Sequence, residues 1–357
     1  MNVLINLLIF FAFLFSEISA VAKNTSRIHV GVTNNYTHSL LRTPGCANGE
    51  TRGRLGDNLI VYCYTRWLSY TQGWDFYYSP FPLSDQLAMD SIHTLSFEKH
   101  TKTNVIPLVN ILDIPAVDQL NDQMMFVLQS IPRNGRVNYN DPVFLNLLRN
   151  EIKPKNTLEK IVIPEGSLSV ALHIRRGGGF DRPLSQEDTQ VSVTTQDVNP
   201  RYAEQFVDRD YPLRFAPDTY FIEQLQYILE RFPDRKIYAH LFTDDQSPAL
   251  IAEKYKKAIN NPRLELGYRT SVNTHDSNVL EDFFGMASFE VLIRPSSGFS
   301  SMAGRLGRPK IEIRPIKFLW VGKKLHICQV GVLERDREEQ WYLREIYISK
   351  ENCGESA

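Results

Sequence analysis

The sequence predicts an α/β protein, with a doubly wound parallel sheet in its second half and another α/β domain before it. In the second half, apolar runs of strand length alternate with segments of helical periodicity, as in strands joined by crossover helices. Polar clusters directly follow several of these strands, at the end where such sheets bind ligands. The length of 357 residues fits two domains.

The second half gives its elements in a regular order. Leu168–Ile174 is a continuous apolar run typical of a buried strand, and Asp218 can cap a helix with an apolar stripe. Ser247 and Pro248 are typical of the start of another helix. The full series is strand 168–174, helix from 218, strand 236–242, helix from 247, strand 263–266, helix near 279–289, strand 290–294, helix near 299–306 and strand 310–314.

The first half is less regular. A glycine-containing turn, 53–58, leads into a predicted helix over 59–70, followed by a strand at 74–78. Segments 105–114 and 143–152 predict a strand and a helix. We therefore assign residues 23–165 to an N-terminal α/β domain, 166–315 to a C-terminal domain and 316–357 to a tail. The charged run at 334–339 in that tail predicts a solvated helix face.

The N-terminus has the pattern of a targeting segment. Residues 3–16 are almost wholly apolar and small residues follow, so we expect residues 1–22 to be a secretory signal peptide. An uncleaved anchor is the alternative, since no Lys or Arg precedes the run. We expect a protein of the secretory pathway, or an exported one, with no span in the mature chain. Asn24 and Asn35 begin glycosylation sequons.

Charge and cysteine content argue against nucleic acid as a partner and against a zinc site. The net charge is −1 and the two signs are mixed along the chain, which argues against a nucleic-acid-binding face. No cysteine or histidine spacing is typical of a zinc site. The chain has four cysteines, Cys46, Cys63, Cys328 and Cys353. They either form two disulfides or remain as buried free thiols.

Three polar clusters are predicted to meet at one edge of the C-terminal sheet: 173–179, 243–245 and 295–300. The first contains two arginines, whose planar donors match phosphate oxygens, and glycines that permit close approach. The third opens a helix, whose free N–H groups favour anions. A carboxylate in the second can accept a hydrogen bond from a base amino group, such as that of guanine or cytosine. Together they predict a nucleotide site, although capping and turn formation explain each cluster taken singly.

At these positions the chain resembles the fucosyltransferase superfamily of α1,2-, α1,6- and protein O-fucosyltransferases. The segments that resemble family motifs are His-Ile-Arg-Arg-Gly at 173–177, Phe-Thr-Asp-Asp at 242–245, Ser-Ser-Gly-Phe-Ser at 296–300 within the stretch 282–306, and Gly-Arg-Leu-Gly-Asp-Asn at 53–58. They follow the family's order. Departures include the glycines after the arginine pair, Asp57-Asn58 in place of Asn-Gln, and Gly298 within the serine motif.

The resemblance implies two Rossmann-like domains in a GT-B-like arrangement, with GDP-fucose bound mainly by residues 166–315 and the acceptor on the 23–165 side. It implies inverting transfer of fucose to a glycan or glycoprotein hydroxyl, without a metal or other cofactor. Arg175 would bind the diphosphate, Arg176 would support it, and Asp244 would contact guanine. The positions implied in donor binding are Gly56, Asn58, His173, Gly177, Asp244, Asp245, Ser296, Ser297, Phe299 and Ser300.

The chemistry also needs a base for the acceptor hydroxyl, for which Asp57 and Glu50 are the candidates. Two other functions remain open at this point. The spacing of Asp208 and Asp210 is that of a D-x-D site, which would make the protein a metal-dependent transferase. A degenerate relative that binds a glycan or nucleotide without transfer is the second alternative.

Overall fold

A computed structural model describes residues 44–48, 53–93, 104–108, 114–115, 119–128, 136–177, 182–183, 211–271, 273–274, 276–335 and 341–348. The predicted signal segment, both sequons, Glu50, Asp208, Asp210 and Cys353 lie outside these residues. The described residues belong to one compact unit, Thr43–Ala357. The domain limits set from the sequence stay predictions.

The first sheet has four parallel strands in the order β2-β1-β4-β3. They are β1 (Gly45–Asn48), β2 (Asp75–Tyr77), β3 (Asn104–Pro107) and β4 (Met124–Leu128). The helices described with this sheet are α1 (Leu55–Gln72), the short α2 (Met89–Ile92) and α3 (Pro142–Glu151). The predictions for α1, β2, β3 and α3 are confirmed, with β3 shorter than expected, whereas the sequence analysis missed β1 and β4.

Helix α1 begins and ends at residues whose backbone groups are satisfied locally. At its start the Asn58 amide donates to the carbonyl oxygens of Gly53 and Arg54, at 3.0 and 3.2 Å. At its end Gly73 adopts the left-handed conformation with φ of 67°, which glycine accepts without steric cost. Leu59, Tyr62 and other buried side chains join α1 to the first sheet, so its N-terminus is held in a fixed position.

The second sheet has seven strands in the order β11-β10-β9-β8-β5-β6-β7. The strands are β5 (Leu168–Ile174), β6 (Ile237–Thr243), β7 (Leu264–Tyr268), β8 (Val291–Ile293), β9 (Ile311–Val321), β10 (Lys324–Arg335) and β11 (Trp341–Ile348). Strands β5 to β9 are parallel, and β10 and β11 add an antiparallel edge. The intervening helices are α4 (Asp218–Arg231), α5 (Pro248–Ile259), α6 (Val279–Ala287) and α7 (Gly298–Gly307).

Successive residues of β5 face opposite sides of the sheet, and both sides are covered. Val170 and Leu172 pack in a buried cluster with α4 and α5, whereas Ala171 packs in another cluster with α6 and α7. The sheet is therefore doubly wound, as predicted. The chain runs outward from β5 through β6 and β7, then returns to β8 on the other side. The β5–β8 boundary is thus the switch point, where such sheets bind ligands.

The structure decides two points that the sequence analysis predicted wrongly or left open, namely the charged run at 334–339 and the state of two cysteines. The prediction of a solvated helix face at 334–339 is wrong for Glu334 and Arg335, which lie in β10 because that strand pairs with β9 and β11. Strand β9 spans position 315/316, the predicted start of the tail, and that domain limit stays a prediction. Cys46 and Cys63 carry buried free thiols, not disulfides. None of the described helices has the length and apolarity to cross a bilayer.

Candidate active site

A cavity of about 430 Å³ lies at the carboxyl end of β5 and β6. This volume is within the usual range for small-molecule sites. The first sheet's side contributes the turn before α1 and the Pro82-Leu83 turn after β2. The second sheet's side contributes the ends of β5 and β6, the segment before α4 and the starts of α6 and α7. The lining includes Arg54, Gly56, Asp57, Pro82, Leu83, His173, Arg175, Arg214, Asp244, Asp276, Asp282, Ser297, Gly298 and Phe299.

Two helices from different sheets begin side by side at this cavity. A Cβ added to Gly56 in α1 would lie 2.4 Å from the backbone nitrogen of Phe299 in α7, a distance that no real side chain tolerates. The same construction at Gly298 meets Asp57 Oδ1 at 3.3 Å. Glycine at both positions therefore lets the two N-termini approach closely. Because helix N-termini carry unpaired N–H groups and a partial positive charge, both favour an anion there.

Arg175 follows β5 directly and lines the cavity. Its guanidinium lies over the ring of Phe215, 5.4 Å from the centroid. The loop that carries it is fixed by Asp244, which accepts hydrogen bonds from the backbone N–H groups of Arg176 and Gly177 at 2.6 and 3.1 Å. Gly177 has a φ of 104°, which favours glycine there. The Asp244 carboxylate, implied in base recognition, thus also shapes the arginine loop.

His173 is a neutral, buried member of the site. Its Nδ1 lies 2.8 Å from Ser300 Oγ, and its ring lies 5.8 Å from that of Phe299. Burial and, to a smaller extent, the positive charges of Arg175, Arg294 and Arg54 together lower the pKa of His173 to about 3. The imidazole therefore carries no charge near neutral pH. The three arginines make the electrostatic potential around His173 positive, which favours an anion in this part of the cavity.

Arg176, the second arginine of the pair, is turned away from the described cavity lining. Its guanidinium pairs with Asp218 at the start of α4. Asp218 also accepts from Lys254 Nζ at 2.6 Å and from Tyr255 Oη at 2.7 Å. Burial raises the pKa of Asp218, but these hydrogen bonds outweigh burial and hold it below its usual value. Arg176 thus connects the Arg175 loop to α4 and α5.

Several predicted site residues support the cavity without being part of its described lining. The Asn58 amide closes the turn before α1, and Ser300 contacts His173. The Ser296 backbone N–H donates to the Leu213 carbonyl at 2.9 Å. Asp245 Oδ1 accepts from the Ser247 N–H at 2.7 Å, before α5. Of the predicted set, the residues brought together in the lining are Gly56, Asp57, His173, Arg175, Asp244, Ser297 and Phe299.

The structure adds lining residues that the sequence analysis did not assign. Arg54 lies within the segment 53–58 that resembles a family motif, so its charge was a signal that could have identified it. Arg214 belongs to no motif. Asp282 accepts from Arg269 at 3.1 Å, and burial raises its pKa to about 6 despite that arginine. Leu83, in an apolar corner with Pro82, has a φ of 69°, an uncommon conformation for a bulky residue.

The charges in the lining are segregated by element. Arginines come from the turn before α1, the loop after β5 and the segment before α4. Most carboxylates come from Asp244 after β6 and from Asp276 and Asp282 beside the start of α6, whereas Asp57, in the first turn of α1, lies on the arginine side. Within the described parts of the chain, no group of three acidic, histidine or cysteine side chains is arranged to hold a metal ion. The arrangement can hold a phosphate group on one side and a hydrogen-bond donor on the other.

Comparison with known proteins gives structural neighbours but no match by sequence. No family model matches the chain, and no curated protein matches it. POFUT1 in complex with GDP superposes with a TM-score of 0.42 at 10% identity, covering 74% of this chain and 94% of POFUT1. An Arabidopsis thaliana FUT1 variant in complex with GDP gives 0.45 at 10% identity, covering 80% and 72%. The fucosyltransferase NodZ from Bradyrhizobium gives 0.40 at 11%, covering 76% and 96%. These solved structures are fucosyltransferases, but at these identities the likeness alone does not carry their activity over to this chain.

Proposed function

We propose that the protein is an inverting glycosyltransferase that transfers fucose from GDP-fucose to a hydroxyl group of a glycan or glycoprotein. The observation that carries the proposal is the meeting of two arginines, Arg54 and Arg175, with the N-termini of α1 and α7 at one cavity. Guanidinium groups and helix N-termini are both suited to phosphate oxygens. The order and spacing of the four motifs support fucose as the sugar.

The segregation of charge supports an orientation for the donor. The diphosphate would lie against Arg175 and the two helix starts. The base would lie toward Asp244 and Asp282, whose carboxylates can accept hydrogen bonds from the amino and imino groups of guanine. The acceptor would then enter between the two sheets, beside the apolar corner formed by Pro82 and Leu83.

The proposed reaction balances without another reactant. The acceptor oxygen forms a bond to the anomeric carbon of fucose on the face opposite the diphosphate. The bond between that carbon and the phosphate oxygen breaks, and its electron pair leaves with GDP. Since the leaving oxygen gains negative charge, preorganised arginines stabilise the transition state more than the ground state. The acceptor proton passes to a carboxylate.

Asp57 is the proposed proton acceptor because it lines the cavity in the first turn of α1. Its Oδ2 lies close enough to Gly53 that an added Cβ there would meet it at 2.2 Å. The carboxylate is thus held between the turn and α7. A base must reach the reacting proton directly or through one water. Asp57 lies on the side where the acceptor is proposed to enter, between the two sheets, so its position permits that.

The proposal includes independence from divalent metal and a place in the secretory pathway. Arginines supply the positive charge that a metal ion supplies to the diphosphate in other transferases. The apolar N-terminal segment supports lumenal or extracellular location, with a membrane anchor as the alternative.

The test is release of the donor's own nucleoside diphosphate by the full chain from a panel of donors: GDP-fucose, GDP-mannose, UDP-galactose and ADP-glucose, each with and without EDTA, before and after addition of a glycan mixture. We expect turnover of GDP-fucose, unchanged by EDTA and stimulated by acceptor. A strict Mn²⁺ requirement would favour the D-x-D alternative. Tight GDP binding with no donor turnover would favour a binding protein.

A further inference from the structure

Arg214 lies in a short segment that contacts both the loop before α7 and the side chain of Arg175. The segment is a 3₁₀ helix, Tyr211–Phe215, just before α4. Leu213 and Phe215 are buried in it, and the Leu213 carbonyl accepts from the Ser296 N–H at 2.9 Å. The 3₁₀ helix is therefore fixed to the loop that opens α7.

The same segment supports Arg175. The Arg175 guanidinium lies over the Phe215 ring at 5.4 Å, and Phe215 is the immediate neighbour of Arg214. Both arginines line the one cavity. Two guanidinium groups from separate parts of the chain are thus brought to the same site by one short helix.

The side chain of Arg214 is itself oriented by its surroundings. Its guanidinium lies 5.0 Å from the centroid of the Tyr211 ring, and the Tyr211 hydroxyl donates to the Arg182 carbonyl at 3.1 Å. Contact with an aromatic face restricts the rotamers of a long side chain, here one that lines the cavity. Less conformational freedom is then lost when an anion binds.

We propose that Arg214 binds the terminal phosphate of the leaving nucleoside diphosphate, beside Arg175. This inference rests on the proposed function, and it concerns a residue outside every motif that supports that function. When the bond to the sugar breaks, the terminal phosphate gains a negative charge. A further arginine at this position stabilises the charge that develops, so it contributes to the rate as well as to product affinity.

The experiment compares GDP with GMP, because only GDP has the terminal phosphate. Calorimetric titrations in EDTA would use the full-length wild-type protein and the variants Arg214→Ala, Arg214→Lys and Arg214→Gln. We expect Arg214→Ala to lower GDP affinity by roughly ten- to a hundredfold, the usual size of a hydrogen bond to a charged group. GMP affinity should stay unchanged, and Arg214→Lys should recover part of the GDP affinity because it keeps the charge.

Arg235→Ala is the matched control. Arg235 lies between the end of α4 and the start of β6, away from the carboxyl ends of the strands; its guanidinium lies 3.9 Å from Glu290, and it is not part of the described cavity lining. It should bind both nucleotides as the wild type does. Thermal melting of each variant shows whether the protein is folded, and Arg214→Gln replaces Arg214→Ala if the latter does not fold.

Two results overturn the proposal while the proposed function stands. Wild-type GDP affinity in folded Arg214→Ala or Arg214→Gln protein means that Arg214 does not contact the ligand. Equal losses for GDP and GMP mean that it acts on the nucleoside or on the fold. Wild-type protein that binds no guanine nucleotide contradicts the proposed function itself, and this proposal falls with it.

Discussion

The two consecutive arginines after β5 lie in different environments, and the contrast separates ligand binding from its structural support. Arg175 lines the cavity with its guanidinium over Phe215. Arg176 instead pairs with Asp218, which also accepts from Lys254 and Tyr255. We call the cavity lining, which includes Arg175, the front. We call the group formed by Arg176, Asp218, Lys254 and Tyr255 the back network. Identical residue types one position apart therefore have different surroundings, and in the proposed function Arg175 binds the ligand while Arg176 positions the loop.

The largest expected effect comes from replacing Arg175 and Arg176 with alanine, one at a time. The two variants distinguish the front from the back network. Arg175→Ala should reduce donor turnover by roughly two to three orders of magnitude, because it removes a preorganised donor to the leaving group. Its melting temperature should stay near that of the wild type. GDP release and thermal melting measure the two effects. Arg176→Ala should show the reverse pattern, with the larger loss in stability, and equal turnover losses would contradict the division.

The second prediction tests the part of the front where the N-termini of α1 and α7 approach each other. Gly56→Ala places a methyl group against the Phe299 backbone, so α1 and α7 must separate. We expect a stability loss of about 1–3 kcal/mol, as for overpacking elsewhere, together with weaker GDP binding. Chemical denaturation and calorimetry measure both quantities.

Gly322→Ala is the control for this substitution. Gly322 has a φ of 59° with open space around it, so alanine costs about 1–2 kcal/mol of backbone strain without moving either helix. GDP affinity should not change in this variant. Normal GDP affinity in Gly56→Ala would mean that close approach of the two helices is not needed for binding.

The third prediction sharpens the role of the back network. Asp218→Asn removes the charge that pairs with Arg176 and Lys254 while keeping the shape of the side chain. We expect a loss of about 1–3 kcal/mol in the free energy of unfolding. GDP affinity should fall less than in Arg175→Ala, because Asp244 still holds the backbone of Arg176 and Gly177.

The pH dependence gives an independent check on Asp218. The pKa of this carboxyl is lower in the folded protein than in the unfolded chain, so its contribution is complete above the unfolded value. The contribution is lost as the pH falls through the folded pKa. Asp218→Asn should lose that part of the acid dependence. An unchanged acid limb of the stability curve would contradict the proposed pairing.

The smallest expected effect concerns His173 at the front. Its pKa is about 3 in the folded protein against 6.5 for the ordinary group, so the unfolded chain binds more protons between these values. Folding stability therefore rises with pH across that window and is complete above about 6.5. Between pH 7 and pH 5 the contribution is on the order of 1–2 kcal/mol.

His173→Asn should reduce this pH dependence, as measured by denaturant unfolding at several pH values. His240, whose pKa burial also lowers to about 4, should keep its own share in the variant. An undiminished slope in His173→Asn would mean that His173 is charged in the folded protein.

The sequence predicted the second sheet better than the first, for a physical reason. Strands such as Leu168–Ile174 are buried on both faces and appear as continuous apolar runs. Strand β1 has only four residues, Gly-Cys-Ala-Asn, and shows no periodicity that distinguishes it from a turn. Strand β10 is fixed by backbone pairing with β9 and β11 on its two sides, which side-chain charge does not indicate, so the charges of Glu334 and Arg335 predicted the wrong element.

The site shows the same limit. Arg175, His173 and Asp244 were predicted because they lie at or directly after the ends of strands whose carboxyl ends share one edge. Arg214 and Leu83 reach the cavity from segments with no pattern of their own. Their positions depend on tertiary contacts such as the Ser296–Leu213 hydrogen bond. Arg176 was predicted beside Arg175, but nothing in two adjacent arginines shows which one turns toward Asp218.

The most direct test of the central claim is a calorimetric titration of the full chain with GDP in the presence of EDTA, alongside Arg175→Ala. The account predicts saturable, metal-independent binding of GDP to the wild-type protein, with little binding of ADP or UDP. Arg175→Ala should lose most of that affinity while remaining folded. Binding that disappears with EDTA, or that persists at wild-type strength in folded Arg175→Ala protein, would contradict the claim that arginines hold a nucleoside diphosphate at this cavity.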